Sequence, residues 1–234
     1  MSHQDELHHV VDSDSMVLHS PTNLCQAREH SLLPLPTWRV AEHWLEQAIE
    51  QFYQHGLAIC PHAIPHDLCQ ALLDEVHQHP ELKSAGVGRA QLHQQNQQIR
   101  RDQTLWLDGS TEAQRGYLAI MADISLQMNR RCFLGLTHHE CHFARYQAGD
   151  FYQKHRDAFA GRSNRILTSV LYLNSVTNGG ELAIYSDDDT PLLQVQPHAG
   201  TLVLFESERF PHEVRPTQQL RYSIAGWFRN DSPP

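Results

Sequence analysis

The stretch ARYQAGDFYQKHRD, residues 144–157, combines two predicted strands with a candidate metal-binding triplet. It joins two short β-type runs, His142 to Tyr146 and Phe151 to His155, and it ends in the triplet His155-Arg156-Asp157. In a strand, residues i and i+2 share a face, so the imidazole of His155 and the carboxylate of Asp157 can reach one ion. This segment therefore predicts a metal site carried by strands.

A third metal ligand is supplied by His212, which begins a later β-type run. About one H-x-D triplet is expected by chance in a chain this rich in histidine, and His3-Gln4-Asp5 is assigned to chance because no framework holds it. Two imidazoles and one carboxylate form the facial triad of non-haem Fe(II) oxygenases, whereas a closed structural zinc site has four protein ligands. The sequence thus predicts an iron site at His155, Asp157 and His212.

The whole chain is organised as helices followed by strands. Apolar residues at three- and four-residue steps predict helices within 38–55, 65–79 and 111–134, with short strands at 57–60 and 104–107. From residue 136 onward, β-type runs recur about every ten residues, which suits a sandwich or barrel. These runs are 142–146, 151–155, 167–173, 181–185, 192–195, 201–205, 212–214 and 221–228.

This order predicts an α+β fold in a single domain. We expect a flexible arm over residues 1–36 and one domain over 37–234, with helical support at 37–135 and the β core at 136–230. The loop from Gly86 to Gln98, which is rich in glutamine, is predicted to be a mobile lid.

Composition excludes several classes of protein. The chain has 234 residues, of which 40% are hydrophobic and 19% charged, so it is long and apolar enough for one folded domain. A net charge of −9 disfavours non-specific binding to nucleic acid or anionic membranes, and no apolar run is long enough to span a bilayer. Five irregularly spaced cysteines without a CxxC motif predict free thiols in a reducing cytoplasm.

Two further residues are candidates for ligand binding. Arg221 starts the β-rich run RYSIAGWF, and an arginine that points into a barrel is costly unless it is paired. Its partner is either the carboxylate of a substrate, which fits the guanidinium fork, or a structural carboxylate. By strand alternation His142 shares a face with Tyr146, and three roles stay open for it: a satisfied polar neighbour, a substrate contact or an extra metal ligand.

An ordered set of segments extends these motifs: IRRDQTLWLD, ARYQAGDFYQKHRD, TSVLYLN, NGGELAIY, FPHEV and RYSIAGWF. This set resembles the Fe(II)- and 2-oxoglutarate-dependent oxygenases, most closely the prolyl hydroxylase branch that includes the hypoxia-sensing enzymes and their bacterial relatives. The resemblance implies a double-stranded β-helix (jelly roll) with the N-terminal helices packed on one face. It also implies an enzyme that uses Fe(II), 2-oxoglutarate and O2, with ascorbate as a candidate reductant, to hydroxylate a prolyl residue in a protein or peptide.

The same resemblance implies roles for individual residues. Fe(II) is bound by the triad, and the distal end of 2-oxoglutarate is bound by Arg221 and Tyr172. Tyr146 contacts the cosubstrate near the metal, Trp227 lines the pocket, and Tyr152 lies towards the substrate. Arg100 and Asp102 flank the lid, and Asp102 is expected to pair with Arg165.

Two other functions stay open at this point. One is the same chemistry on a free amino acid or another small molecule. The other is a catalytically silent barrel that binds a metal or 2-oxoglutarate as a sensor.

Overall fold

The computed structural model describes residues 42–79, 82–85, 98–158 and 164–231, all of which belong to the compact unit formed by residues 36–234. The predicted arm lies outside the described residues, as does the predicted lid apart from Gln98. No helix in this part of the chain combines the length and the apolar character needed to cross a bilayer.

Three helices precede most of the strands: α1 (Glu42–His55), α2 (His66–Gln78) and α3 (Glu112–Cys132). Helix α1 ends at Gly56, whose φ of 72° is left-handed and therefore suits glycine. Helix α3 begins at an N-cap, where the Thr111 hydroxyl accepts a hydrogen bond from the backbone N–H of Gln114. These signals explain why α1 ends and α3 begins close to the predicted positions.

Eleven strands are present in the described part of the chain. They are β1 (Leu57–Cys60), β2 (Lys83–Ser84), β3 (Gln103–Trp106), β4 (His138–Tyr146), β5 (Tyr152–His155), β6 (Arg165–Tyr172), β7 (Leu182–Tyr185), β8 (Pro191–Val195), β9 (Leu202–Glu206), β10 (His212–Val214) and β11 (Arg221–Arg229). A major sheet has the order β1-β9-β6-β11-β4-β3-β2, and a minor sheet has the order β5-β10-β7-β8. All the strand pairs are antiparallel, as expected for the predicted double-stranded β-helix.

The central strand β11 separates two cores. Tyr222, Ile224 and Phe228 point to the face that packs on the three helices. Arg221 and Trp227, at alternate positions, point instead into a cavity between the sheets. Because both faces are covered, almost the whole strand is buried, and its polar residues must find their partners inside the molecule.

Strand β4 begins four residues earlier than predicted, at His138. Its extension pairs with the end of β11, where His139 lies opposite Phe228. The half-buried ring of His139 contacts Tyr117 and Phe228, and Cys141 is buried in the helix-side core. The sequence pattern does not indicate this strand, because a histidine occupies a core-facing position that is ordinarily apolar.

Candidate active site

Three potential metal ligands converge where β5 and β10 pair. His155 and His212 are direct partners in the antiparallel register, and Asp157 lies two residues beyond His155. Nε2 of His155 is 3.4 Å from Oδ1 of Asp157, and Nε2 of His212 is 3.4 Å from Oδ2 of the same carboxylate. One ligand atom from each residue lies within 4.8 Å of the others. The i, i+2 spacing and the strand pairing thus place the three predicted ligands together.

Both histidines are held with one nitrogen available to a metal. Nδ1 of His155 donates to the carbonyl of Gln153 at 2.8 Å, and Nδ1 of His212 donates to the carbonyl of Phe210 at 3.0 Å. Each Nε2 is then the unprotonated nitrogen and faces the carboxylate. Burial also lowers the pKa of His212 to about 4, which keeps its imidazole neutral and able to bind a metal at neutral pH.

The Asp157 carboxylate is held by two hydroxyl groups in series, of which Thr168 begins the TSVLYLN segment and Ser207 lies outside the quoted segments. Thr168 donates to Oδ2 of Asp157 at 2.8 Å, and the Thr168 and Ser207 hydroxyl oxygens are 2.8 Å apart. Burial alone would raise the pKa of Asp157, but His212 and His155 outweigh that effect and bring the pKa well below its usual range. The carboxylate is therefore ionised at neutral pH.

This donor set fits Fe(II). Two imidazole nitrogens and one carboxylate oxygen suit a divalent transition metal, whereas magnesium and calcium prefer oxygen ligands alone. Three ligands on one side leave coordination positions for small molecules. His155, Asp157 and His212 could therefore hold the iron that the family chemistry requires.

Most of the predicted site residues line one cavity of about 490 Å³, which includes its open mouth. Those that line it are Arg100, His142, Tyr146, Tyr152, His155, Asp157, His212, Arg221 and Trp227. The other three lie directly behind the wall: Tyr172 beside Arg221, Asp102 on Arg100, and Arg165 on Trp227. All twelve residues are thus brought to one region.

Arg221 is a buried cation with incomplete bonding. Its side chain is 1% exposed and donates through Nη1 to the Ser223 hydroxyl at 3.0 Å, while its Nε has no hydrogen-bond partner. The guanidinium carbon lies 4.7 Å from the ring centre of Tyr146 and 5.0 Å from that of Tyr172. None of the ion pairs among the described residues includes Arg221. Within this part of the chain, Arg221 therefore has no structural carboxylate as its ion-pair partner.

Gly180, in the NGGELAIY segment, makes room for Arg221. A β-carbon at this glycine would lie 3.0 Å from Cδ of Arg221 and 3.1 Å from the hydroxyl oxygen of Thr217. The φ of 72° also favours glycine. Gly180 therefore leaves space for the side chain of the buried cation as well as forming part of the turn.

Aromatic and cationic side chains form the rim of the cavity. Tyr152 stacks on His155 with ring centres 3.6 Å apart. The guanidinium carbon of Arg100 lies 4.3 Å from the ring centre of Tyr152. The segment around Arg100 is joined to β5 by backbone bonds, including Arg101 N–H to the Phe151 carbonyl. The base of the predicted lid is therefore attached to the strand that carries His155.

Two ion pairs at the rim involve Asp102 and Arg165. Asp102 is fully buried and pairs with Arg100 at 2.6 Å. Arg165 pairs with Glu140 at 3.0 Å and stacks on Trp227 at 3.6 Å. The expected pair of Asp102 with Arg165 stays a prediction.

His142 lies in the wall of the cavity between two indole rings. Its ring centre is 5.3 Å from that of Trp106 and 5.5 Å from that of Trp227, and its Nδ1 donates to the Phe143 carbonyl at 3.1 Å. Burial lowers its pKa to about 4. The cluster of metal-ligating atoms does not include it, so the choice between a satisfied neighbour and a substrate contact depends on experiment.

Ion pairs on both sides of His155 are a further feature that the motifs do not indicate. Lys154 pairs with Asp189 at 3.0 Å, and Arg156 pairs with Asp187 at 3.0 Å. Both acidic residues belong to the turn between β7 and β8, in the same sheet. The alternation of basic residues around His155 and the acidic turn are visible in the sequence, but their contact requires the strand order.

Comparison with known proteins now identifies the family. Residues 141–229 match the family model of the 2OG-Fe(II) oxygenase superfamily. The crystal structure of a Pseudomonas putida prolyl-4-hydroxylase is 37% identical, with a TM-score of 0.72, and the match covers 80% of this chain and 100% of that one. The chain belongs to the 2OG-Fe(II) oxygenase superfamily. Within this superfamily its relatives place it in the prolyl hydroxylase branch.

More distant relatives of the oxygenase agree in fold. A prolyl hydroxylase from Trichoplax adhaerens, in complex with a hypoxia inducible factor peptide fragment, is 24% identical with a TM-score of 0.73, and the match covers 81% of this chain and 90% of that one. Egl nine homolog 1 of Mus musculus is 26% identical over 209 residues, or 83% of this chain and 51% of the relative. The chain spans about half the length of such curated relatives. The match to the Trichoplax adhaerens structure confirms the predicted fold.

Proposed function

We propose that this protein is an Fe(II)- and 2-oxoglutarate-dependent dioxygenase that hydroxylates a prolyl residue of a protein or peptide and releases succinate and CO2. The proposal depends above all on Arg221, a buried guanidinium with a free Nε in a cavity that also contains three metal-ligating side chains. A buried cation is costly without an anion. A dicarboxylate with one end on Arg221 and the other near the triad meets that need.

The triad, Arg221 and Trp227 each have a defined task in this proposal. Fe(II), when bound, would supply the O2 activation that couples oxidative decarboxylation of 2-oxoglutarate to hydroxylation of a C–H bond. His155, Asp157 and His212 would hold the metal on one face, and Arg221 would bind the distal carboxylate through its guanidinium fork. Trp227 would exclude water from the reacting groups, since the protein's part in such chemistry is binding, orientation and protection.

A peptide substrate is supported by the relatives and by the rim. The Pseudomonas putida relative is named a prolyl-4-hydroxylase, and the Trichoplax adhaerens relative is in complex with a peptide. Trp106, next to the cavity wall, is 55% exposed and offers an aromatic surface to an extended chain. We further propose residues 37–234 as the catalytic domain, ascorbate as the reductant that keeps the iron as Fe(II), and the cytoplasm as its location, where the four described cysteines stay free.

The test begins with the reaction in the absence of a prime substrate. Purified protein with Fe(II) should convert 2-oxoglutarate to succinate slowly, and His155→Ala should abolish this conversion. His198→Ala, which changes an exposed histidine outside the cavity, is the matched control and should keep it. Incubation with cell lysate and mass spectrometry should then detect one added oxygen on a proline. Succinate formation that survives in the His155→Ala variant would refute the assigned site.

A further inference from the structure

The Asp157 carboxylate is connected to the opposite sheet by a short chain of hydroxyl groups. Asp157 follows β5 of the minor sheet, whereas Thr168 belongs to β6 of the major sheet and Ser207 directly follows β9. The Thr168 and Ser207 side chains are buried, with exposures of 2% and 0%. Ser207, Thr168 and Asp157 thus form a buried series of polar groups that links the two sheets.

The direction of these hydrogen bonds is fixed by chemistry. An ionised carboxylate only accepts hydrogen bonds, so the Thr168 hydroxyl must donate its single proton to Oδ2 of Asp157. The contact between the two hydroxyl oxygens, at 2.8 Å, then requires Ser207 to donate to Thr168. The result is a one-way relay, from Ser207 through Thr168 to Asp157, that strengthens the final charge-assisted bond.

The backbone of Ser207 also holds the chain directly after Asp157. Its carbonyl accepts from the N–H of Ala158, the residue after Asp157, at 3.3 Å, and its own N–H donates to the Ile166 carbonyl at 3.0 Å. Ser207 therefore restrains both the side chain of Asp157, through Thr168, and the backbone that follows it. The side-chain bonds satisfy the two buried hydroxyl groups, and the backbone bond to Ala158 adds a second restraint next to Asp157.

The restraint determines which way the carboxylate faces. With Oδ2 bonded to Thr168, the carboxylate plane is held so that Oδ1 is near Nε2 of His155 and Oδ2 is near Nε2 of His212. A carboxylate that rotated freely would present this geometry for only part of the time. Hydrogen bonds to a ligating carboxylate raise metal affinity by holding it in place.

We propose that Thr168 and Ser207 are positioning residues for metal binding, and that their hydroxyl relay preorganises Asp157 for a divalent transition metal before the metal arrives. The inference rests on the proposed iron site. It adds that residues outside the triad, on the opposite sheet, set the metal affinity.

The test measures the binding of Mn(II) to the metal-free full chain, by titration calorimetry or by the electron paramagnetic resonance signal of free Mn(II), and needs no turnover. Thr168→Val keeps the shape of the side chain and removes the hydroxyl, so the dissociation constant for Mn(II) should rise about 10- to 100-fold. Thr168→Ser restores the donor and should stay within about threefold of the natural protein, and Ser207→Ala should have an intermediate effect.

Ser169→Ala supplies the matched control. Ser169 is the next residue on the same strand, is fully buried, and has its hydroxyl 3.1 Å from Nε2 of His139 on the helix side of the sheet. Its removal should lower the melting temperature but leave Mn(II) affinity unchanged. If Thr168→Val binds Mn(II) as tightly as the natural protein, or if Ser169→Ala weakens binding equally, the positioning role is refuted.

The inference and the proposed function can fail separately. Tight Mn(II) binding that depends on Thr168, in a protein that never consumes 2-oxoglutarate, would refute the proposed function and leave the relay established. A natural protein that takes up no Mn(II) would overturn both.

Discussion

Replacing Arg221 by methionine tests whether this buried arginine binds 2-oxoglutarate or stabilises the fold as an ion-pair partner. Methionine keeps the length of the side chain and removes the charge. Because none of the ion pairs among the described residues includes Arg221, the change leaves no buried carboxylate without a partner there. It removes one hydrogen bond to Ser223 and the contacts with two tyrosine rings, but it also removes the desolvation cost of the cation.

The expected cost to the ligand-free protein is therefore less than about 2 kcal/mol in the free energy of unfolding, against about 3–5 kcal/mol for breaking a buried ion pair. The expected cost to 2-oxoglutarate binding is larger. Two charge-assisted hydrogen bonds at about 1.5 kcal/mol each amount to about 3 kcal/mol, or roughly a hundredfold rise in the dissociation constant.

Thermal unfolding with Mn(II), with and without 2-oxoglutarate, measures both quantities. At a concentration one hundred times its dissociation constant, the ligand stabilises the natural protein by about 2.7 kcal/mol, or roughly 5–10 °C for a chain of this size. At the same concentration the Arg221→Met variant should gain only about 1 °C. Arg229→Met, at the end of the same strand, loses ion pairs with Glu140 and Asp231 and should keep the full ligand shift.

Two results would contradict this account of Arg221. A loss of 3–5 kcal/mol in the ligand-free variant would mean that the arginine is a structural ion-pair partner. A ligand shift of undiminished size would mean that 2-oxoglutarate binds elsewhere.

Three further outcomes are expected. His142→Leu should raise the KM for a peptide substrate and leave that for 2-oxoglutarate unchanged if His142 contacts the substrate; steady-state kinetics with both substrates varied decides this. Burial lowers the pKa of His139 to about 3 and of His212 to about 4, so between about pH 6.5 and 4 the unfolded chain binds protons that the folded chain does not. Stability should therefore fall as the pH falls through that window, by up to about 1.4 kcal/mol per pH unit for each histidine, and urea unfolding of a His139→Gln variant should have a shallower pH dependence. Gly226→Ala should cost roughly 1–3 kcal/mol in urea unfolding, since its β-carbon would lie 2.5 Å from Nε2 of His139; full stability would show that His139 moves aside freely.

Local periodicity was sufficient to predict most of the strands. Strands such as β7 and β10 begin and end within a residue or so of the predicted runs, because short β-type runs bounded by turn residues report directly on backbone geometry. In the triad, the partnership of His212 with His155 requires the strand order, whereas His155 and Asp157 need only the two-residue repeat of a strand. The position of Arg221 follows for the same reason.

Contacts between distant residues could not be predicted in this way. Thr168 and Ser207 are 39 positions apart, and nothing in their spacing indicates that their hydroxyl groups meet. The partners of Asp102 and Arg165 likewise depend on which side chains fill the rim. Buried polar pairing is a property of the packed tertiary structure, whereas strand alternation is a property of the chain.

The two halves of the site belong to different sheets. The imidazoles of His155 and His212 are carried by the minor sheet, while Arg221 and Thr168 are carried by the major one. A ligand that contacts both at once would join the sheets across the interior, so the sandwich could not open without releasing it. With the ligand bound, the backbone amides of both sheets would exchange hydrogen slowly and together. Occupancy of the cavity would then be linked to the lifetime of the protein in the cell.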